Sequence, residues 1–221
     1  MNCFLFKKAV WMLPALLILL ATGCNREASL AEAAAGGDIE AQYELAIFYS
    51  KQEPPQKTKS YEWMKRAAAS RYTPAMKKLA EYYLIGYGTP VNYPRVSDWL
   101  TRYYEHDRNS ADALAVGRKI LIGASSRADV IAGFILFRIA LNLENQSGTG
   151  DSELATAAGS ELLIHAQKYF SWLLAARNYA DAGKVMEFVD RIIKEYPVSF
   201  PENAAAVVKK MNADYNEHLE K

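Results

Sequence analysis

The sequence predicts an all-α chain, an α-α superhelix in which helical hairpins stack as a right-handed solenoid, about four to five of them, the C-terminal ones degenerate. Two self-alignments and one spacing carry this expectation. A41-Q-Y-E-L-A-I-F-Y49 laid over A75-M-K-K-L-A-E-Y-Y83 pairs Ala41 with Ala75, Leu45 with Leu79, Ala46 with Ala80 and Tyr49 with Tyr83 at one offset of 34 residues. Y61-E-W-M-K-R66 laid over S97-D-W-L-T-R102 pairs Trp63 with Trp99 and Arg66 with Arg102 at an offset of 36, so the connection between the helices is two residues longer in the second copy. Within each copy an alanine, a leucine four residues on and an aromatic four beyond that form one helical stripe, which has to be buried. A single hairpin cannot bury that stripe alone, and stacked neighbours can.

Before the first hairpin, Lys7 and Lys8 precede an apolar run from Val10 to Ala21 that is too short to span a bilayer. This reads as a signal peptide. It ends in L20-A-T-G-C24, small residues before a cysteine, which resembles the lipobox of bacterial lipoprotein signal peptides. The resemblance implies that residues 1–23 are removed and that Cys24 becomes the acylated first residue. Ala21 stands where a branched residue is usual. Asn25, not aspartate, follows the cysteine, which by the same resemblance favours the periplasmic face of the outer membrane. Cys3 would leave with the signal and Cys24 would carry lipid, so disulfide and thiolate chemistry are excluded from the mature chain.

The whole chain has 26 basic and 25 acidic residues. Without Lys7 and Lys8 the balance is slightly acidic, and no global field favours nucleic acid. The charge is nevertheless uneven. Between Lys51 and Lys78 stand Lys51, Lys57, Lys59, Lys65, Arg66, Arg71, Lys77 and Lys78 against Glu53 and Glu62. Such an excess can steer an acidic partner, although basic residues at helical spacing are also an ordinary solvated face.

Along the hairpins, Gly86 and Gly88 can supply a positive φ where the second copy's first helix stops, and Pro90 and Pro94 discourage its continuation. Arg71 occupies the place that Gly37 holds one copy earlier. A left-handed helix end is therefore expected there at a cost of about 1 kcal/mol. Trp99 is expected to fill the gap between helices. These positions resemble the SEL-one-like repeat, a cousin of the tetratricopeptide repeat. The second copy matches it at Ala75, Leu79, Tyr83, Gly86, Gly88, Val91 and Trp99. The first matches at Ala41, Leu45, Tyr49, Trp63, Ala67 and Ala68, preceded by A33-A-A-G-G37 from a partial upstream copy. Ala46 and Ala80 replace the family's glycine, and K51-Q-E-P-P-Q56 replaces the double-glycine turn. The likeness covers about residues 30–123, within an expected repeat region of 24–144.

Further on, S110-A-D-A-L-A-V-G-R-K-I-L-I-G123 reads as a third first-helix and D129-V-I-A-G-F-I-L-F-R-I-A-L141 as its second, apolar nearly all round and hence buried, with Arg138 reaching a carboxylate or helix-end carbonyls. Residues 145–221 read as degenerate hairpins and a cap. After a polar link, Leu154, Ala158, Leu162, Ala166, Tyr169 and Leu173 share one face of a long helix that Asp151 or Ser152 can cap. Two helices follow, about 180–196 and 201–219. The last, with Ala204, Val207, Val208, Met211 and Tyr215 inward, reads as a lid.

Catalytic and metal motifs are not found. The three histidines lie in no H-x-x-x-H or H-E-x-x-H setting. G-x-S-x-G is absent, and A182-G-K184 lacks the rest of a phosphate loop. His106, between Glu105 and Asp107, fits a surface turn better than an acid–base site, with Asp107 or Asn109 as helix cap. His165 reads as half-buried packing, and His218 falls in the fraying tail. No cofactor, metal or small-molecule substrate is expected, and the chain is not expected to be an enzyme. The repeat family implies protein recognition. SEL-one-like lipoproteins of this size resemble immunity partners that neutralise a secreted antibacterial toxin, often a phospholipase; assembly scaffolds of the envelope, and a cell-wall or lactam-binding hydrolase, are the alternatives. Partner contacts are expected at first-helix positions off the packing stripe, Lys77, Glu81 and Arg118, and at the turn around Tyr87.

Overall fold

The computed structural model describes residues 26–148 and 152–220. The signal segment, Cys24 and the alternative cap Asp151 lie outside the described residues. Every regular element among those described is helical: α1 (26–35), α2 (Ile39–Ser50), α3 (Lys57–Ala69), α4 (Thr73–Ile85), α5 (Tyr93–Tyr103), α6 (Ser110–Gly123), α7 (Arg127–Gln146), α8 (Glu153–Ala175), α9 (Tyr179–Glu195), a 3-10 turn (Pro197–Ser199) and α10 (Ala204–Leu219). Helices adjacent in sequence pack as hairpins: α2 on α3, α3 on α4, α6 on α7, α7 on α8, α8 on α9 and α9 on α10. The all-α hairpin fold expected from the self-alignments is the fold observed. Two compact units divide at Val91 and Asn92, so that α1–α4 belong to the first and α5–α10 to the second. None of the described helices is long and apolar enough to cross a membrane.

In the first unit, Ala34, Ala41, Leu45 and Tyr49 form a buried cluster against which Leu30, Ala31, Phe48 and Trp63 pack. The aligned residues Ala75, Leu79, Ala80 and Tyr83 of α4 are buried likewise. The alanines hold no bulk between helix axes, and the leucine and tyrosine fill the space that this approach leaves. Trp99 was expected as core filler, and here the expectation needs correction: it is only half-buried, as is Trp63 of the first copy. The guanidinium of Arg66 lies 4.3 Å from the Trp63 ring, and that of Arg102 lies 5.0 Å from Trp99. The repeated Trp–Arg pair is thus a cation–π shelf at the core's edge, with Met64, Ala67 and Ala68 completing the interior of the first copy.

Helix ends repeat as faithfully as helix faces. Gly37, Arg71 and Gly86 all take positive φ, at 96°, 64° and 73°. In each case the following amide reaches back five residues to a carbonyl of the last turn: Asp38 to Ala33 at 3.1 Å, Tyr72 to Ala67 at 3.2 Å and Tyr87 to Tyr82 at 2.9 Å. This is the bonding of a Schellman end, and it satisfies carbonyls that the helix cannot. The left-handed conformation expected at Arg71 is therefore present. Arg177, at the end of α8, does the same with φ 56° and an Asn178-to-Leu173 bond of 2.9 Å. This fourth junction reveals a copy that the self-alignments missed. R177-N-Y-A-D181-A-G-K-V185-M-E-F-V189 aligns with R71-Y-T-P-A75-M-K-K-L79-A-E-Y-Y83, the stripe residues Leu79 and Tyr83 being replaced by Val185 and Val189.

In the second unit α6 and α7 cross at glycines. A Cβ on Gly117 would stand 2.9 Å from the Phe137 ring, and one on Gly133 would stand 2.5 Å from Leu121. α7 also packs on α5 and α8, but it is not buried all round: Ile131, Arg138 and Asn142 form an exposed stripe. Arg138 is solvent-facing rather than embedded, lining a shallow hollow with Glu195 and Tyr196. Burial first, then the hydrogen bond to Glu195, push the Tyr196 phenol up to about 12. On α8, Ala158, Leu162, Ala166 and Leu173 are buried as expected, and Ser152 caps the helix by accepting from the Ala155 amide at 3.0 Å. Glu144 ties three elements together, accepting from the hydroxyls of Ser110 and of Ser152, the latter at 2.5 Å. α10 closes the unit with Ala204, Val208 and Met211 buried.

Candidate functional site

The residues expected to meet a partner do not form one cluster. Lys77, Glu81 and Tyr87 lie on or just after α4 in the first unit, whereas Arg118 lies on α6 in the second. Glu81 accepts from Lys78 Nζ at 2.7 Å, the ordinary consequence of i, i+3 spacing. Lys77 is half-buried beside them. Tyr87 acts as a clasp: its ring lies 4.6 Å from that of Tyr82, its hydroxyl donates to the Ser50 carbonyl at 3.4 Å, and Lys57 Nζ stands 5.6 Å over its face. Gly88, at φ 68°, lets this turn lie against the first turn of α3, where a Cβ would collide with the Lys57 carbonyl. Arg118 forks onto Glu161 of α8, with Nε 2.6 Å from Oε2 and a second close bond from Nη2 to Oε1. Glu81, Tyr87 and Arg118 are thus already engaged within the chain, and Lys77 is not free either.

His106 is exposed in the α5–α6 connection, where Asn109 caps α6 through the Asp112 amide at 2.9 Å and Asp107 accepts from the Asn109 amide at 3.0 Å. His218 bonds the Asp214 carbonyl at 2.7 Å within α10. Among the described residues no group of three or more His, Cys, Asp or Glu is arranged to hold a metal ion.

A concavity lies elsewhere, in the second unit, where the end of α6, the start of α7 and the C-terminal half of α8 converge. This groove has a volume of about 610 Å³, and its walls include Leu121, Ile122, Val130, His165, Tyr169 and Trp172, with Lys168 and Arg127 at its edges. Its rim is apolar to an unusual degree for a free surface. Ile122 is 83% exposed and Trp172 61% exposed. Trp172 lies parallel to Tyr169, ring centres 5.7 Å apart, and so presents a broad aromatic shelf.

Local rules build this shape. α6 ends at Gly123, where a Cβ would collide with the Tyr93 hydroxyl. α7 starts at once, on a capping box in which Ser126 accepts from the Asp129 amide and Asp129 accepts from the amides of Ser125 and Ser126 at 3.0 and 2.9 Å. The tight joint leaves Ile122 with no helix to pack on. His165 forms the floor, its ring edge-on to Phe137 at 6.2 Å. Burial holds its imidazole below the ordinary value, Glu161 pulls it upward and Lys168 lowers it further.

A smaller hollow of about 200 Å³ adjoins, walled by Ile131, Phe134, Ile135, Val185 and Phe188. Arg127 and Tyr169 line both spaces. Arg127 Nη1 bonds Asp181 Oδ1 at 2.7 Å, and Asp181 also accepts from Asn178 at 3.0 Å. Burial raises the Asp181 carboxyl, but Asn178, Lys184 and Arg127 together hold it below its usual range. The Tyr169 hydroxyl is buried without a hydrogen-bond partner. Chemically the site offers an aromatic and aliphatic cleft with cations at its edge, suited to holding apolar side chains of an acidic partner. Sequence reasoning assigned Tyr169 to the packing face and His165 to packing. Ile122 and Trp172, each an apolar residue off its helix's stripe, were the signal available.

No family model matches the chain, and no curated protein matches it. Among solved structures, it is similar to the crystal structure of c5321, a protective antigen present in uropathogenic Escherichia coli strains displaying an SLR fold, at 15% identity and a TM-score of 0.42. The match covers 86% of this chain and 40% of that one, so the chain spans well under half the length of the protein it matches.

Proposed function

We propose that this chain binds another protein, and that its partner is a secreted antibacterial toxin which it sequesters at the periplasmic face of the outer membrane, held there by lipid on Cys24. The observation that carries protein binding is the open groove of the second unit with Ile122 and Trp172 exposed at its rim. Apolar side chains concentrated around a groove on a stable helical scaffold are what a partner's anchor residues fill. The lipobox-like L20-A-T-G-C24 and the likeness to SEL-one-like immunity lipoproteins support the finer reading. Lys77, Glu81 and Tyr87 of the first unit and Arg118 of the second would then be secondary contacts.

Co-expression with the periplasmically targeted toxin encoded beside its gene tests the reading. The chain should form a one-to-one complex with that toxin and restore growth, and Trp172→Ala should abolish rescue. A chain that instead copurifies with resident envelope proteins and leaves toxicity unchanged is an envelope scaffold, and the immunity reading falls.

A further inference from the structure

The first unit is electrically two-sided. Residues 26–50 carry Arg26 against Glu27, Glu32, Asp38, Glu40 and Glu44, whereas α3 carries Lys57, Lys59, Lys65 and Arg66 with Glu62 as its only acid, and Arg71 follows its end. Lys59, Glu62, Lys65 and Arg66 share the exposed arc of α3, opposite buried Ser60, Met64, Ala67 and Ala68. Each cation of α3 stands over an aromatic ring: Lys57 over Tyr87, Lys59 over Tyr49 at 5.1 Å, Lys65 over Tyr61 at 5.9 Å and Arg66 over Trp63 at 4.3 Å. The charged heads themselves are therefore held over aromatic faces by cation–π attraction, which fixes the cations along this side of the helix.

A second observation says where this face would be held. The Tyr49 hydroxyl that lies beneath Lys59 donates to Glu27 Oε1 at 3.0 Å. Glu27 is three residues from Cys24, a chain length that spans at most about 10 Å. An anchor at Cys24 thus starts beside the Lys59 end of the basic face.

We propose that the exposed face of α3, through Lys59, Lys65 and Arg66, docks on the anionic phosphate headgroups of the bilayer in which Cys24 is anchored. The inference rests on Cys24 being the anchoring residue. One lipid chain and a basic patch are together the two signals that stable membrane attachment takes. Docking fixes which side of the first unit is left for a protein.

The test imposes the anchor chemically, so that it is independent of natural acylation. The mature chain is coupled through the Cys24 thiol, its one cysteine, to maleimide-bearing lipid in phosphatidylcholine vesicles with or without phosphatidylglycerol. A water-soluble amine reagent is then applied, and labelling is read residue by residue by mass spectrometry. Lys59 and Lys65 should be labelled about 5-fold more slowly on the anionic vesicles, as a lysine near such a surface is held by about that factor. High salt should remove the protection. Equal labelling of Lys59 and Lys65 on both kinds of vesicle overturns the proposal and leaves the basic face to an acidic protein. The natural anchor is checked separately, by the intact mass of protein purified from membranes: a docked face with an unacylated Cys24 would refute the tether and not the surface.

Discussion

Two arginines stand where the fold wants glycine. Arg71 and Arg177 adopt φ of 64° and 56°, a region in which a Cβ crowds the following carbonyl. Each is held there by the Schellman bonds of its neighbour and not by its own preference. Arg71→Gly and Arg177→Gly should each raise stability by about 1 kcal/mol in urea unfolding, a gain that the looser unfolded chain of a glycine variant only partly offsets. His165 makes a second prediction at this scale. Because burial holds its folded pKa below the unfolded value of 6.5, the unfolded chain binds the proton more readily. Its contribution to stability is complete above 6.5 and declines as pH falls below that value, levelling off once the folded imidazole is also protonated. Melting temperature should follow this course between about pH 8 and about pH 5, and His165→Leu should flatten that part of the profile.

At the scale of elements, the closest packing is backbone against backbone. A Cβ on Gly159 of α8 would collide with the Ser199 carbonyl in the 3-10 turn. Gly159→Ala should therefore destabilise the chain by about 3 kcal/mol in chemical denaturation, since neither backbone can yield as a flexible side chain would. Gly183→Ala, where the neighbour is the Tyr215 hydroxyl at 3.2 Å, should cost much less. The contrast shows what was legible in the sequence and what was not. Ala41, Leu45 and Tyr49 and their partners thirty-four residues on announced both helices because periodicity depends on residue type. Ser110–Gly123 was bounded correctly because Asn109 is cap chemistry and L121-I-G123 echoes the helix end L84-I-G86. The α8–α9 copy escaped because its stripe is written in valines and its helix end in arginine, so that only backbone geometry reveals it. Trp99 was taken for core because a tryptophan's type does not say which of its faces is covered; Arg102, three residues along, occupies one of them. The groove was least legible of all, for it depends on where α6 stops relative to α8, a distance no spacing encodes.

For the molecule as a whole, two helical units carry different surface chemistry. The first separates acidic from basic sides, and the second opens an apolar groove with cations at its edge. Trp172 and Ile122 are predicted to be the anchors, because large apolar groups that lie exposed in the free chain gain most from desolvation when a partner covers them. The measurement that bears most directly on this is the dissociation constant for the toxin proposed as its partner, by titration calorimetry, of the native chain and of Trp172→Ala and Ile122→Asp variants of unchanged melting temperature. Recognition through the groove predicts at least about 30-fold weaker binding for each variant. Affinity equal to the native chain's in both would contradict it.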